Sequence, residues 1–267
     1  MADVILQERD DAILTLTLNL PEKRNPISDP AVIDALEQAL LAADADISVR
    51  CVILTGAGSA FSAGGDLKTM LPGGGGLNDP LAAQSRRNYK TGIQRLPLLF
   101  QSLEIPVIAA VNGHAIGAGL DLATMCDIRV AAEGAKFAES FVKLGLIPGD
   151  GGAWFLPRIV GFSKASELAL TGDTIDAATA LAIGLVGKVV AADDLMKCSR
   201  KIAAKIAANP PHAVRMTKRL LREAQTADLK NILEMSAAMQ AVAHATADNQ
   251  EAVQAFLDKR KPQFTGE

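Results

Sequence analysis

Apolar and polar residues alternate along the first part of the chain in two rhythms. In Ile13–Leu18 the residues Leu14, Leu16 and Leu18 alternate with Thr15 and Thr17. A period of two predicts a half-buried strand, and Val4–Gln7 reads as its pairing partner. From Pro30 the rhythm becomes helical. Val32, Ile33, Leu36, Leu40 and Leu41 fall at helical spacing, and Ser28 is the expected N-cap. The apolar run Cys51–Leu54 predicts a further strand. A second round follows: a strand at Val107–Val111, a helix from about Gly117 to Met125 and a strand at Ile128–Ala131. The strand–strand–helix order recurs without any repeat of sequence.

Met70–Gln84 breaks the pattern. Its Pro72-Gly73-Gly74-Gly75-Gly76 run fits no regular element and reads as a surface loop, or as a lid or specificity loop beside a site. After about Ala192 the pattern is nearly all helical, interrupted at Pro210-Pro211. The alanine-rich stretch Ile232–Ala247 suits packing against a partner subunit or over its own domain.

Composition narrows the function classes. The 267 residues are 49% hydrophobic, enough for a sizeable core, and carry a formal net charge of -3. The basic pairs Arg86-Arg87 and Lys218-Arg219 are short, so no basic field favours nucleic acid. Cys51, Cys126 and Cys198 form no C-x-x-C pair, and two of them sit in apolar runs as expected of thiols in a reducing compartment. Met1–Arg9 holds two acids and no apolar core, which does not read as a signal peptide. No apolar stretch reaches the ~18–20 residues of a membrane span. The expectation is a cytoplasmic protein with no membrane partner.

Two glycine-bearing segments carry the candidate chemistry: Phe61-Ser62-Ala63-Gly64-Gly65-Asp66-Leu67 and Gly113-His114-Ala115-Ile116-Gly117-Ala118-Gly119-Leu120-Asp121. Each follows an apolar strand and opens into helix-like sequence. Backbone N–H groups at such turns are unpaired and suit an anionic oxygen. Two turns converging on one point make an oxyanion hole, and the second runs into Asp121, a candidate proton carrier. Other motifs fail. The glycine run lacks the Gly-Lys-Ser/Thr of a phosphate loop, and Leu122 stands where a dinucleotide fingerprint needs a third glycine. There is no G-x-S-x-G elbow, and His114, His212 and His244 have no metal-ligand spacing. Tyr89 and Trp154 read as core residues, although Trp154 stands four residues beyond Asp150 and could share its face.

The two turns, in this order and with these flanks, resemble the crotonase family of enoyl-CoA hydratases and isomerases. The likeness spans nearly the whole chain: Leu18–Asn25, Pro106–Cys126, Leu144–Gly149 with Gly151-Gly152, and Ala255–Arg260 resemble four family blocks. It implies an α/β fold, a crotonase-like spiral of ββα units over residues 1–195 with a helical oligomerisation region over 196–267. It also implies a homotrimer or homohexamer, a coenzyme A thioester as substrate, and neither a permanently bound cofactor nor a metal.

By the same likeness, Gly65 and Ala118 are the oxyanion donors. Arg24, Ala63, Asp66 and Leu67 match positions that line coenzyme A. Phe256 and Lys259 match tail positions that reach coenzyme A on a neighbouring subunit. The hydratases of the family use two glutamates. The first position holds Asp121 and the second holds Phe141, which transfers no proton. Asp150 stands close by in Pro148-Gly149-Asp150-Gly151-Gly152, one position after the acid of isomerase branches such as the epoxyphenylacetyl-CoA isomerases. Structural readings exist for both acids: Asp121 favours a helix dipole and Asp150 can cap the next helix. The expected catalytic pair is Asp121 and Asp150, in an apolar pocket beside Phe141 and Trp154 that raises their pKa. Hydration and isomerisation both stay open. So do thioester hydrolysis or dehalogenation on the same oxyanion hole, and an acyl-CoA-binding protein without catalysis. The acyl group is not legible.

Overall fold

The computed structural model describes residues 3–71 and 76–267, so Pro72–Gly75 of the expected loop lies outside the described residues. The chain opens with β1 (Ile5–Asp10) and β2 (Ile13–Leu18), paired antiparallel with Ile5 opposite Leu18. Helix α1 (Pro30–Ala45) follows, with Pro at its first position. Its cap is Asp29, which accepts the Ala31 N–H, and not Ser28. The Ser28 hydroxyl is engaged elsewhere, accepting the Asp66 N–H at 3.2 Å. Leu41 is 50% exposed, and Ala39 and Ala43 complete the buried face in its place.

The chain then spirals. Strands β3 (Cys51–Gly56) and β4 (Ala60–Ser62) lead to α2 (Ala82–Thr91) and α3 (Arg95–Ser102). Strands β5 (Val107–Val111) and β6 (His114–Ile116) lead to α4 (Ala118–Met125). Strands β7 (Ile128–Ala132) and β8 (Lys136–Ala138) lead to α5 (Gly152–Val160) and α6 (Phe162–Thr171). The last round is β9 (Thr174–Asp176), α7 (Ala177–Ala182) and β10 (Lys188–Val190). Each round leaves one strand in each of two sheets. The larger sheet runs β1-β2-β3-β5-β7-β10 and is parallel except at β1–β2; the smaller runs β4-β6-β8-β9 and is parallel except at β8–β9. This is the α/β spiral expected from the sequence.

Both faces of the larger sheet are covered. One core joins the even positions of β3, Val52 and Leu54, to Leu36 and Leu40 of α1, Phe100 of α3 and Leu122 of α4. The opposite face carries Cys51, Ile53, Ile108 and Val130 under α8 (Leu195–Ala207), which contributes Leu195 and Ala203. Parallel strands covered on both faces read as continuous apolar runs. The same double cover buries Thr15 to 6% exposure, so β2 is not the half-buried strand its alternation suggested.

The chain ends in α9 (Pro211–Glu223), α10 (Leu229–His244) and α11 (Ala247–Leu257). Helix α9 starts at the predicted Pro210-Pro211 break and buries Arg215, Lys218 and Arg222. Helix α10 has no buried residue and exposes Leu229, Leu233 and Val242. Among the described residues, no helix is long and apolar enough to cross a membrane.

Candidate active site

The two glycine segments meet. Each comes after a long apolar strand, β3 or β5, as the sequence suggested, and contains part or all of a short strand that the sequence did not show, β4 or β6, with the glycine turn beyond it. Strands β4 and β6 lie side by side, with Ala60 opposite His114 and Ser62 opposite Ala115. Gly64 has φ +87°, and a β-carbon there would come within 2.5 Å of the Ile116 carbonyl and 3.2 Å of the Ala118 nitrogen. A β-carbon on Gly119 would collide with the Ser62 carbonyl. Only glycine at these positions lets the turns touch. Gly117, at φ +52°, turns the chain from β6 into α4, and Ala118 is the first helical residue. Its N–H has no intrahelical acceptor, and it sits at the positive end of the helix dipole. Among the described residues, neither the Gly65 nor the Ala118 N–H donates a backbone hydrogen bond. Two unspent donors therefore lie at the junction of the turns, with the Met70 side chain packed against Gly65.

Three carboxylic acids lie beneath this junction. Asp121 stands one turn into α4 and is fully buried. Asp150, in the turn before α5, is 4% exposed. The third, Glu139, is 1% exposed and was not expected from the sequence. It follows β8, whose Ala138 carbonyl accepts the Gly117 N–H at 2.8 Å, so the strand delivers it to the start of α4. A β-carbon on Gly152 would collide with both Asp121 Oδ1 and Glu139 Oε1, which places the two carboxyl groups against one another across that glycine. Among the described residues, both oxygens of Asp121, both of Glu139 and Oδ1 of Asp150 are buried without a partner in hydrogen-bond geometry.

Burial without a cation opposes ionisation. Burial, and then the charges of Glu139 and Asp150, hold the Asp121 carboxyl well above the usual range. Burial lifts Glu139 to about 7 and Asp150 to about 6. Two adjacent carboxylates have only acceptors to offer, so Asp121 and Glu139 bond to each other when one proton lies between them. A cluster of this kind holds and releases protons near neutrality.

The other expected residues fall around the cluster. The Phe141 ring lies over the second turn, with its Cζ 3.7 Å from where a Gly117 β-carbon would stand. Asp150 does not cap α5; Gly151 is the cap residue and no side-chain cap bond is made. Tyr89 of α2 packs against Gly149 and is half-buried, its hydroxyl pKa raised by burial and by the Asp150 charge. Trp154 is neither core nor turned into the acid cluster. It is 38% exposed, with the Arg158 guanidinium 3.3 Å from its ring centroid. His114 is exposed on β6, and no hydrogen bond joins it to an acid among the described residues.

Arg24, Ala63, Asp66 and Leu67 share one rim. The Ala63 N–H donates to the Arg24 carbonyl at 2.9 Å, Arg24 is left-handed at φ +60°, and Leu67 is 56% exposed. Asp66 caps the short 3-10 turn Leu67–Met70. Phe256 at the end of α11 is 84% exposed, and Lys259 just beyond it is left-handed. Among the described residues no group of three or more His, Cys, Asp or Glu side chains is placed to hold a metal ion.

The chain is similar to known proteins over nearly its whole length. Residues 8–267 match the family model described as enoyl-CoA hydratase/isomerase. The chain is 39% identical to the 1,2-epoxyphenylacetyl-CoA isomerase of Escherichia coli over 266 residues, covering 100% of both. It is 36% identical to the crotonyl-CoA hydratase of Syntrophomonas wolfei, covering 97% of both. The crystal structure of an enoyl-CoA hydratase from Bacillus anthracis superposes with a TM-score of 0.92 at 36% identity, covering 99% of this chain and 100% of that one.

Proposed function

Because the chain belongs to the enoyl-CoA hydratase/isomerase family, we propose that this acyl-CoA-processing enzyme moves a double bond along the acyl chain without adding water. The observation that carries this reading is the apolar Phe141 ring over the second turn; by the sequence resemblance, Phe141 takes the position of the hydratases' second glutamate. The thioester oxygen is held by the Gly65 and Ala118 N–H groups. Each such donor is worth ~2.7–4 kcal/mol as negative charge builds on the oxygen. Asp121 takes the proton from C2 of a 3-enoyl-CoA. The C2–H electron pair then spreads through C1 and C3 as a dienolate, and the proton returns at C4 to leave a 2-enoyl-CoA. Asp150 serves as the second proton carrier. Its raised pKa, and that of Asp121, suit exchange near neutrality.

Arg24, Ala63, Asp66 and Leu67 line the coenzyme A rim, and Phe256 and Lys259 reach the same cofactor on a neighbouring subunit. A homotrimer or homohexamer is supported by the uncovered Leu229, Leu233 and Val242 of α10. Hydration is the second reading, favoured by the relatives named as hydratases and by acids able to orient a water. The test is product analysis by mass spectrometry with crotonyl-CoA and 3-enoyl-CoA. A shifted double bond without mass gain is expected. Mass gain by water would establish hydration, and free coenzyme A would establish hydrolysis.

A further inference from the structure

A cavity of about 560 Å³ begins one residue from Asp150, with Gly149 in its lining. The Tyr89 ring, also in the lining, packs on Gly149. The Gln94 amide donates to the Gly149 carbonyl at 3.0 Å and ties that turn to the start of α3. Asp150 stands close enough for its charge to act on the Tyr89 hydroxyl. The cavity has two kinds of wall. Leu146 and Ile147 supply an apolar one, and Ile147 is 78% exposed. Helix α2 supplies Arg86 and Lys90 beside Tyr89, four residues apart and so on one helix face. No acid lines the cavity, and α2 itself contains none. Among the described residues, neither Arg86 nor Lys90 forms an ion pair. A solvated helix face would account for two cations. It would not account for their sharing a cavity with Tyr89 and an exposed apolar wall, one residue from a proton carrier.

We propose that this cavity takes the distal end of the acyl group, and that it selects 3-enoyl-CoA thioesters whose acyl chain ends in a carboxylate. The inference rests on the isomerase reading and names the substrate class of the same site. The acyl chain leaves C4 beside Asp150, passes Gly149 and Tyr89 against Leu146 and Ile147, and brings its carboxylate to Arg86 and Lys90. A chain ending in a methyl group makes the apolar contact alone and leaves both cations without a partner. Opposite charges attract only weakly at a site open to water, so the selection is several-fold and falls as salt is added.

The test compares isomerisation of 3-octenedioyl-CoA and 3-octenoyl-CoA, which differ only in the end group, at low and high ionic strength. Wild type is expected to show a several-fold higher kcat/KM with the diacid thioester, through a lower KM, and the preference should shrink at high ionic strength. Arg86→Gln combined with Lys90→Gln is expected to remove the preference. Arg87→Gln, on the same helix but outside the lining, is expected to keep it. Equal kcat/KM for the two thioesters in wild type, or a preference that survives in the double variant, overturns the carboxylate site and leaves the isomerase reading intact. Failure of wild type to shift the double bond of either thioester overturns the isomerase reading, and the carboxylate site with it.

Discussion

Two groups of carboxylates in the molecule are treated in opposite ways. Under α9, Asp127 accepts from Lys218 at 2.9 Å and from Arg222 at 2.7 Å, and Asp44 accepts from Arg215 at 3.1 Å. The cations are satisfied further by backbone: Lys218 donates to the Ile105 carbonyl at 2.6 Å and Arg222 to the Met125 carbonyl at 2.8 Å. This network ties α9 to the ends of α1, α3 and α4. Beneath the glycine turns, Asp121, Glu139 and Asp150 form no ion pair among the described residues, and the buried oxygens of Asp121 and Glu139 and Oδ1 of Asp150 have no partner there within hydrogen-bond geometry. A fold that pairs its structural acids so fully and leaves these three unpaired holds them at a cost in stability. That cost is what a proton-transfer site requires, because pairing would depress the pKa values that burial raises.

The largest effect should come from the centre of the unpaired cluster. Asp121→Asn is expected to lower turnover by about 10²–10⁴-fold, the range for loss of a general acid or base. Coenzyme A thioester binding, measured by calorimetry, should persist. Next comes the unspent backbone. Ala118→Pro removes one N–H at a first helical position, where proline is accepted, and should cost about 10²–10³ in kcat with the helical circular dichroism unchanged. The paired region should answer differently. Asp127→Ala leaves two buried cations without their acid and should cost about 3 kcal/mol in urea unfolding, the low end for a broken buried pair. Its side chain keeps 20% exposure, which holds the loss to that end. Turnover per folded molecule should be unchanged. Equal losses of stability from Asp121→Asn and Asp127→Ala would erase the distinction.

The smallest effect is a pH dependence of stability. The folded pKa of Asp150, about 6, lies above its ordinary 3.8. The folded state thus holds a proton that the unfolded chain releases. That stabilisation is complete below the unfolded pKa and is lost as pH rises through about 6. Asp150→Asn, neutral throughout, should be more stable than wild type at alkaline pH by on the order of 1–3 kcal/mol. The gain should vanish in acid, and denaturant midpoints across the pH range would show it.

The long strands were legible because Cys51–Leu54 and Val107–Val111 are covered on both faces and stay apolar throughout. The short strands β4, β6, β8 and β9 were not, since three residues carry no period and the pairing partners are distant in sequence. The α9 network was hidden as well: Arg215, Lys218 and Arg222 repeat at helical spacing like a solvated face, and only their tertiary acids bury them. In the site, Asp121 announced itself through its glycine turn. Asp150 could be read as a helix cap until Gly151 was seen to hold that place. Glu139 carried no motif; its meaning depends on β8 pairing with β6 and on Gly152 leaving room for two carboxyl groups. The one local hint was an acid directly after the apolar Phe137-Ala138.

The central claim is that the unpaired acids beneath the two turns move protons along the acyl chain while the Phe141 ring, in place of a glutamate over the second turn, disfavours water addition. The most direct measurement compares wild type with Phe141→Glu on 3-enoyl-CoA and crotonyl-CoA, recording the ratio of hydrated to isomerised product. The account predicts that wild type isomerises with little hydration and that the new carboxylate raises the hydrated share. Wild type hydrating crotonyl-CoA as fast as it isomerises 3-enoyl-CoA, with no change of ratio in Phe141→Glu, would contradict it.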